Sequence, residues 1–151
     1  MSYHKDIHAI VCHGDIGDGT TIWGGAFIGP FGSIGGGCTI GRHVEIGPRV
    51  RVGNRCRIQA GAFLPEGVVL GGDVFIGPNA TFTNVRYPVG DQKAAKYAQT
   101  IVHDRAVIGA NATIVAPCEI GEGAFVGAGA VVTKDVPAGE TWAGNPARRL
   151  R

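Results

Sequence analysis

The sequence is short of most features that mark the common function classes. It has one methionine, two tryptophans and only 7% aromatic residues. No apolar run approaches the roughly twenty residues that a bilayer-spanning helix needs. The formal net charge is +2, from 14 basic and 12 acidic side chains, too small a field to recruit nucleic acid or a membrane surface. The opening residues, Met1-Ser2-Tyr3-His4-Lys5-Asp6, lack the apolar core of a secretion signal. A cytoplasmic location is therefore expected, with neither nucleic acid nor membrane as a partner. The four cysteines, Cys12, Cys38, Cys56 and Cys118, form no C-x-x-C pair. Reduced, packed thiols are the expectation for such a chain. The five histidines, His4, His8, His13, His43 and His103, are too scattered to supply a three-histidine centre, so no metal is expected.

Glycine is in excess: 26 residues, against about ten or eleven at ordinary usage. With no collagen triplet, such an excess implies a fold with many tight corners. The repeat confirms it. An aliphatic residue returns at every sixth position: Ile10, Ile16, Ile22, Ile28, Ile34, Ile40, Ile46, Val52, Ile58, Leu64, Leu70 and Ile76, with Phe82 closing the series. A second series runs Val102, Ile108, Ile114, Ile120, Val126, Val132. Four positions after the marker sits a slim residue, as at Thr20, Ala26, Cys38, Val44, Cys56 and Ala62. A period of six matches neither the 3.6 of a helix nor the 2 of a long strand. It fits short strands joined by repeated corners, with marker and slim residues turned inward and coils stacked about 4.8 Å apart.

The chain therefore reads as one domain, 1–151, with repeats over 10–84 and 102–137, a loop over 85–101 and a tail over 138–151. Between Phe82 and Val102 the phase slips, so the chain leaves the coil. The segment 85–100 holds Pro88, Gly90, Arg86, Lys93 and Lys96 and reads as an extruded loop. Long loops on rigid scaffolds are often functional. Glu66 and Asn84, one coil apart and each two residues past its marker, place a carboxylate beneath an amide at the loop mouth.

The repeat resembles the single-stranded left-handed parallel β-helix of the hexapeptide-repeat acyltransferases, an all-β fold in which three hexads make one triangular coil. Further segments narrow the resemblance: Thr21-Ile22-Trp23, Ile58-Gln59, Pro65-Glu66-Gly67-Val68, Asp73-Val74-Phe75-Ile76-Gly77-Pro78 and Phe82-Thr83-Asn84. This series looks like the N-acetyltransferases acting on nucleotide-linked 3-amino sugars, either UDP-2-acetamido-3-amino-2,3-dideoxyglucuronate or dTDP-3-amino-3,6-dideoxyhexoses. The segments from Ile108 to Val115 and from Gly127 to Pro137, with Gly144-Asn145-Pro146-Ala147-Arg148, are shared by CoA-dependent hexapeptide enzymes at large. The chain departs from the sugar enzymes at Ala60-Gly61, where paired asparagines are usual, and at Pro65, Gly24 and His103.

The resemblance implies a homotrimer with acetyl-CoA bound between neighbours and a nucleotide-linked amino sugar as acceptor, in surface-polysaccharide biosynthesis. It assigns Asn84 to orienting the amine or the acetyl group, Glu66 to holding the ammonium or a sugar hydroxyl, and Arg86 and Tyr87 to the nucleotide sugar. Gly109, Ala110, Asn111, Ala128 and Gly129 would follow the pantetheine arm. Thr133, Lys134, Pro146, Arg148 and Arg149 would lie nearer the adenine and 3′-phosphate. His103 is the candidate general base; a base there would favour O-acetylation of a sugar or small alcohol instead. A metal hydro-lyase like the γ-type carbonic anhydrases, and a non-catalytic β-helix, are the readings from other classes.

Overall fold

The computed structural model describes residues 2–90 and 96–151. Short strands stack there into three sheets of nine, seven and six strands, a left-handed parallel β-helix of triangular section. Face A runs from His4–Lys5 through Thr21–Ile22, Thr39–Ile40, Arg57–Ile58, Phe75–Ile76, Val107–Ile108 and Phe125–Val126 to Thr141–Ala143. Face B runs from Ile10–Val11 to Val131–Val132, and face C from Asp15–Ile16 to Cys118–Ile120. The chain visits the faces in the order A, B, C in each coil, so three corners, A–B, B–C and C–A, run the length of the prism.

The period sets the packing. Ile22, Ile40, Ile58 and Ile76 are successive Cα partners on face A, and each is fully buried. The slim positions Cys38, Val44, Val50, Cys56 and Ala62 fill the angles between them and are equally buried. β-Branched side chains suit this surface because a parallel sheet buried on one side rewards stiff, wide packing. The glycine after the marker answers a different demand, the approach of one coil's corner to the next. A Cβ on Gly47 would lie 2.7 Å from the backbone nitrogen of Glu66, closer than any real contact.

The ladder departs from strict periodicity in three places. At the first coil, Val11 pairs with Ile28 and Ile10 with Phe27, 17 positions apart. Val11, not Ile10, therefore takes the inward slot, and Ile10 is 59% exposed; the sixfold series does not hold at its first member. Two adjacent aliphatic residues satisfy the same period, and the shortened corner at 12–14 decides between them. At the loop, Leu70 pairs with Val102 and Phe82 with Ile114, 32 positions apart where regular coils are 18, so 14 residues are inserted. The coil resumes at Thr100, and Lys93 lies outside the described residues. At the end, Ile120 bridges to Val136 and Val126 pairs with Trp142, 16 positions apart. The tail thus continues the prism, and Arg148–Arg149 folds back antiparallel on Thr141–Ala143.

Each end of the core meets a lysine. Lys5 holds the slot opposite Ile22 and donates from Nζ to the Ala9 carbonyl at 2.9 Å. Lys134 sets its ammonium 5.8 Å from the Trp142 ring centre. The Lys5 charge at an inward position hinders further stacking on that exposed sheet edge.

Truncating Ile58 or Ile76 to alanine removes a fully buried side chain and should cost about 2–5 kcal/mol. Ile10→Ala should stay within about 0.5 kcal/mol. Denaturant titrations of the three variants check both the core and the reassigned first coil; equal losses would contradict the register.

Candidate functional site

The loop neck lies on the B–C corner, and backbone geometry holds it shut. Asn84 donates from Nδ2 to the Glu66 carbonyl at 3.0 Å, and its own carbonyl accepts from Ala98 N at 2.8 Å. Thr100 N donates to the Gly67 carbonyl at 3.0 Å. Gly67 has φ +104°, and a Cβ there would sit 2.6 Å from the Ala98 carbonyl oxygen, so only glycine lets the returning strand close. Thr83 Oγ1 accepts from Ala116 N at 3.1 Å. Beyond the neck, Arg86 donates to the Thr133 carbonyl at 3.1 Å and lies 5.9 Å from the Tyr87 ring centre, which ties the loop to the prism two coils further on.

Asn84 and Glu66 are thus brought together, through the main chain of Glu66 rather than its carboxylate. That carboxylate accepts from Arg49 at 3.1 Å, an exposed pair of modest energy. Sequence reading missed Arg49, although its position, 17 residues before Glu66, is one coil less a residue and could have flagged it. Asn84 Oδ1 has no partner among the described residues, which leaves one acceptor at the neck.

Gly109, Ala110, Asn111, Ala128 and Gly129 stack on another corner, A–B. Gly129 N donates to the Ala110 carbonyl at 2.8 Å and Asn111 N to the Pro78 carbonyl at 2.9 Å. These residues form a narrow track of small side chains where a ligand can approach the backbone closely. Thr133 and Lys134 do not join them: both sit on the B–C corner, past the strand Val131–Val132. Pro146, Arg148 and Arg149 belong to the closing turn. Arg148 donates to the Ala147 carbonyl at 2.9 Å, and Arg149 pairs with Glu140 at 3.4 Å.

His103 occupies the third corner, C–A. The strand Thr100–Val102 separates it from the loop neck, so within one chain it does not share a corner with Asn84. Its Nε2 is 3.2 Å from Glu119 Oε2, beside a cleft of about 390 Å³ that also meets Glu122 and Asp135. A carboxylate partner of this kind orients an imidazole.

The cysteines are free, with Cys38, Cys56 and Cys118 buried and Cys12 partly exposed. Burial pushes the Cys118 thiol up to about 11. Hydrogen bonding with Cys38, then burial, raises Cys56 as well. No group of three or more His, Cys, Asp or Glu side chains among the described residues is placed to hold a metal ion. No helix among them is long and apolar enough to cross a membrane.

A stacked triangular prism with an extruded loop and a small-residue corner defines a class, the left-handed β-helix proteins, and comparison narrows it. The family described as bacterial transferase hexapeptide (six repeats) matches residues 32–66 and 99–134. The bifunctional protein GlmU of Rubrobacter xylanophilus is 40% identical over 80 residues, 53% of this chain and 17% of that protein. Among solved structures, LpxA of Bacteroides fragilis, a UDP-N-acetylglucosamine acyltransferase, superposes with TM-score 0.79 at 20% identity, over 96% of this chain and 59% of that one. The hexapeptide-repeat acetyltransferase VCA0836 of Vibrio cholerae, complexed with acetyl-coenzyme A, gives 0.60 at 26% identity, over 76% and 70%. The two matched segments make up just under half of the chain and show its hexapeptide-repeat character within a left-handed β-helix, and the chain spans less than a fifth of the length of GlmU.

Burial shields Cys38, Cys56 and Cys118 from reagent, and a raised pKa keeps the Cys56 and Cys118 thiolates scarce besides; Cys38, whose hydrogen bond with Cys56 lowers its pKa, is protected by burial alone. The native protein should therefore present one readily labelled thiol, Cys12, and four after denaturation. Timed labelling with an aromatic disulfide reagent measures this, and rapid modification of Cys118 in the native state would contradict its burial.

Proposed function

We propose that the protein transfers the acetyl group of acetyl-CoA to the 3-amino group of a UDP- or dTDP-linked amino sugar. The observation that carries this reading is the loop neck, where Asn84 is locked by its Nδ2 bond to Glu66 with Oδ1 left to accept from an incoming amine. The amine lone pair attacks the thioester carbonyl carbon. As the C–N bond forms and the C–S bond breaks, the departing sulfur takes the amine's proton. An amide and free CoA result, with no oxidant or metal consumed. An amine and a thioester are already matched in reactivity, so positioning supplies most of the acceleration. No base is required at the neck, in keeping with His103 standing on another corner.

The same geometry favours assembly. The small-residue track at Gly109, Ala110, Asn111, Ala128 and Gly129 and the neck at Asn84 lie on opposite edges of face B, so one chain does not bring the two together. A second copy packed alongside would set its track against this neck. A homotrimer with acetyl-CoA between neighbours meets that need. Exposed Phe125 on face A and Phe27 on face B, 46% and 37% accessible, supply apolar contact for it. Arg86 and Tyr87 would border the nucleotide sugar, and Lys134, Arg148 and Arg149 would lie within reach of the CoA phosphates.

Thiol release from acetyl-CoA against a panel of nucleotide-linked 3-amino sugars tests the reaction. Asn84→Ala should lower kcat/KM about 100-fold, the scale of one transition-state hydrogen bond, with trimer mass and CoA affinity retained. His103→Ala should change kcat/KM less than about threefold; a loss of the same size as at Asn84 would point to base catalysis and O-acetylation.

A further inference from the structure

Phe31 breaks two rules at once. It is 69% exposed, and its backbone sits at φ +63°, a region costly for a bulky side chain. The other non-glycine residues in that region, His43, Arg49, Arg55, Asp73, Asn79, Arg105 and Asn111, are all polar. An aromatic residue both strained and solvated is unfavourable for folding, and strain of this kind concentrates where function requires it.

Its surroundings indicate a ligand. Phe31 borders an open cavity of about 810 Å³, which also meets Tyr3, Cys12, His13 and Asp15. The Arg49 guanidinium stands 5.6 Å over the Phe31 ring and reaches Glu66 on its other side. Arg51, on the same coil, faces outward from face C and is exposed. The B–C corner thus carries, coil by coil, an aromatic face, a cation, a carboxylate and then the Asn84 neck. Phe31 and Asn84 are three coils apart, about 14 Å at the inter-strand spacing. That span suits an extended nucleoside diphosphate sugar whose amine end rests at the neck.

We propose that the B–C corner between the neck and Phe31 is the nucleotide track, with the base stacked on Phe31 and the diphosphate on Arg49. This rests on the reading of the acceptor as a nucleotide-linked sugar and names the residues that would distinguish such an acceptor from a free amino sugar. Arg49 exchanges its exposed pairing with Glu66 for the diphosphate. Glu66 is thereby released toward the sugar one coil nearer the neck. Stacking on an aromatic face is tolerant of base identity, so Phe31 would select for a nucleobase and leave its kind to the cavity rim at Tyr3, His13 and Asp15.

The test is calorimetric titration of the full chain with UDP and with dTDP, with CoA titrated in parallel. Wild type should bind at least one nucleotide. Phe31→Gly and Arg49→Gln should each weaken it tenfold or more, Arg49→Lys should restore part of the loss, and CoA affinity should not move. Phe31→Gly should also leave the melting temperature equal or higher, because glycine accepts the left-handed conformation. Unchanged nucleotide affinity in both variants would overturn the assignment. So would a loss of CoA affinity instead, which would place the CoA adenine here, or a fall in assembly mass, which would make Phe31 a subunit contact. A wild type that acetylates a nucleotide sugar while both variants keep its KM sinks this inference alone. A wild type that binds neither nucleotide and acetylates only free amines sinks the parent reading and this one with it.

Discussion

Parallel backbone pairing between successive coils is the constraint on which the rest depends. Every strand is two or three residues long, far too short to be stable alone. Each is held by its partners above and below, as Ile58 is between Ile40 and Ile76. Pairing at a constant offset requires equivalent residues to recur at that offset, so the aliphatic markers and slim residues follow from the hydrogen bonding as much as from burial. The stack also fixes every corner residue to within one coil's rise, and this gives the surface columns their regular spacing.

The candidate site is built from the exceptions to that regularity. The 14-residue insertion leaves the coil on the B–C corner, and its two ends are tied at Asn84, Gly67 and Ala98. The pinning is local: Gly67 is needed because a side chain there would meet the returning strand. The neck is therefore rigid even though the loop itself is outside the repeat. Phe31 and Arg49 occupy left-handed corner positions that the coil tolerates from polar residues or glycine. Phe31 is the one apolar residue among the left-handed non-glycine positions of the described residues, and it shares with Arg49 the corner that leads to the neck.

The corners divide the chemistry. In the proposed reaction the small-residue track on A–B and the polar neck on B–C would each supply half of the site, and the width of face B keeps them apart within one chain. In the proposed assembly, a second copy packed alongside would join what the fold of one chain separates. His103 with Glu119 on C–A belongs to neither half.

The period of six, readable without coordinates, was enough to determine the prism, the inward residues from Ile16 onward, the exit of the chain after Phe82 and the coil offset linking Glu66 to Asn84. Those properties are one-dimensional: a repeat is a statement about spacing, and stacking converts spacing directly into contact. The tertiary structure alone decided that Val11 rather than Ile10 turns inward, that Glu66 meets Asn84 through its carbonyl while its carboxylate meets Arg49, and that the residues assigned to CoA divide between two corners. It also decided that His103 stands across a face from the neck. Each of these turns on the length of a single corner or the direction of a single side chain, and a period carries no information about either.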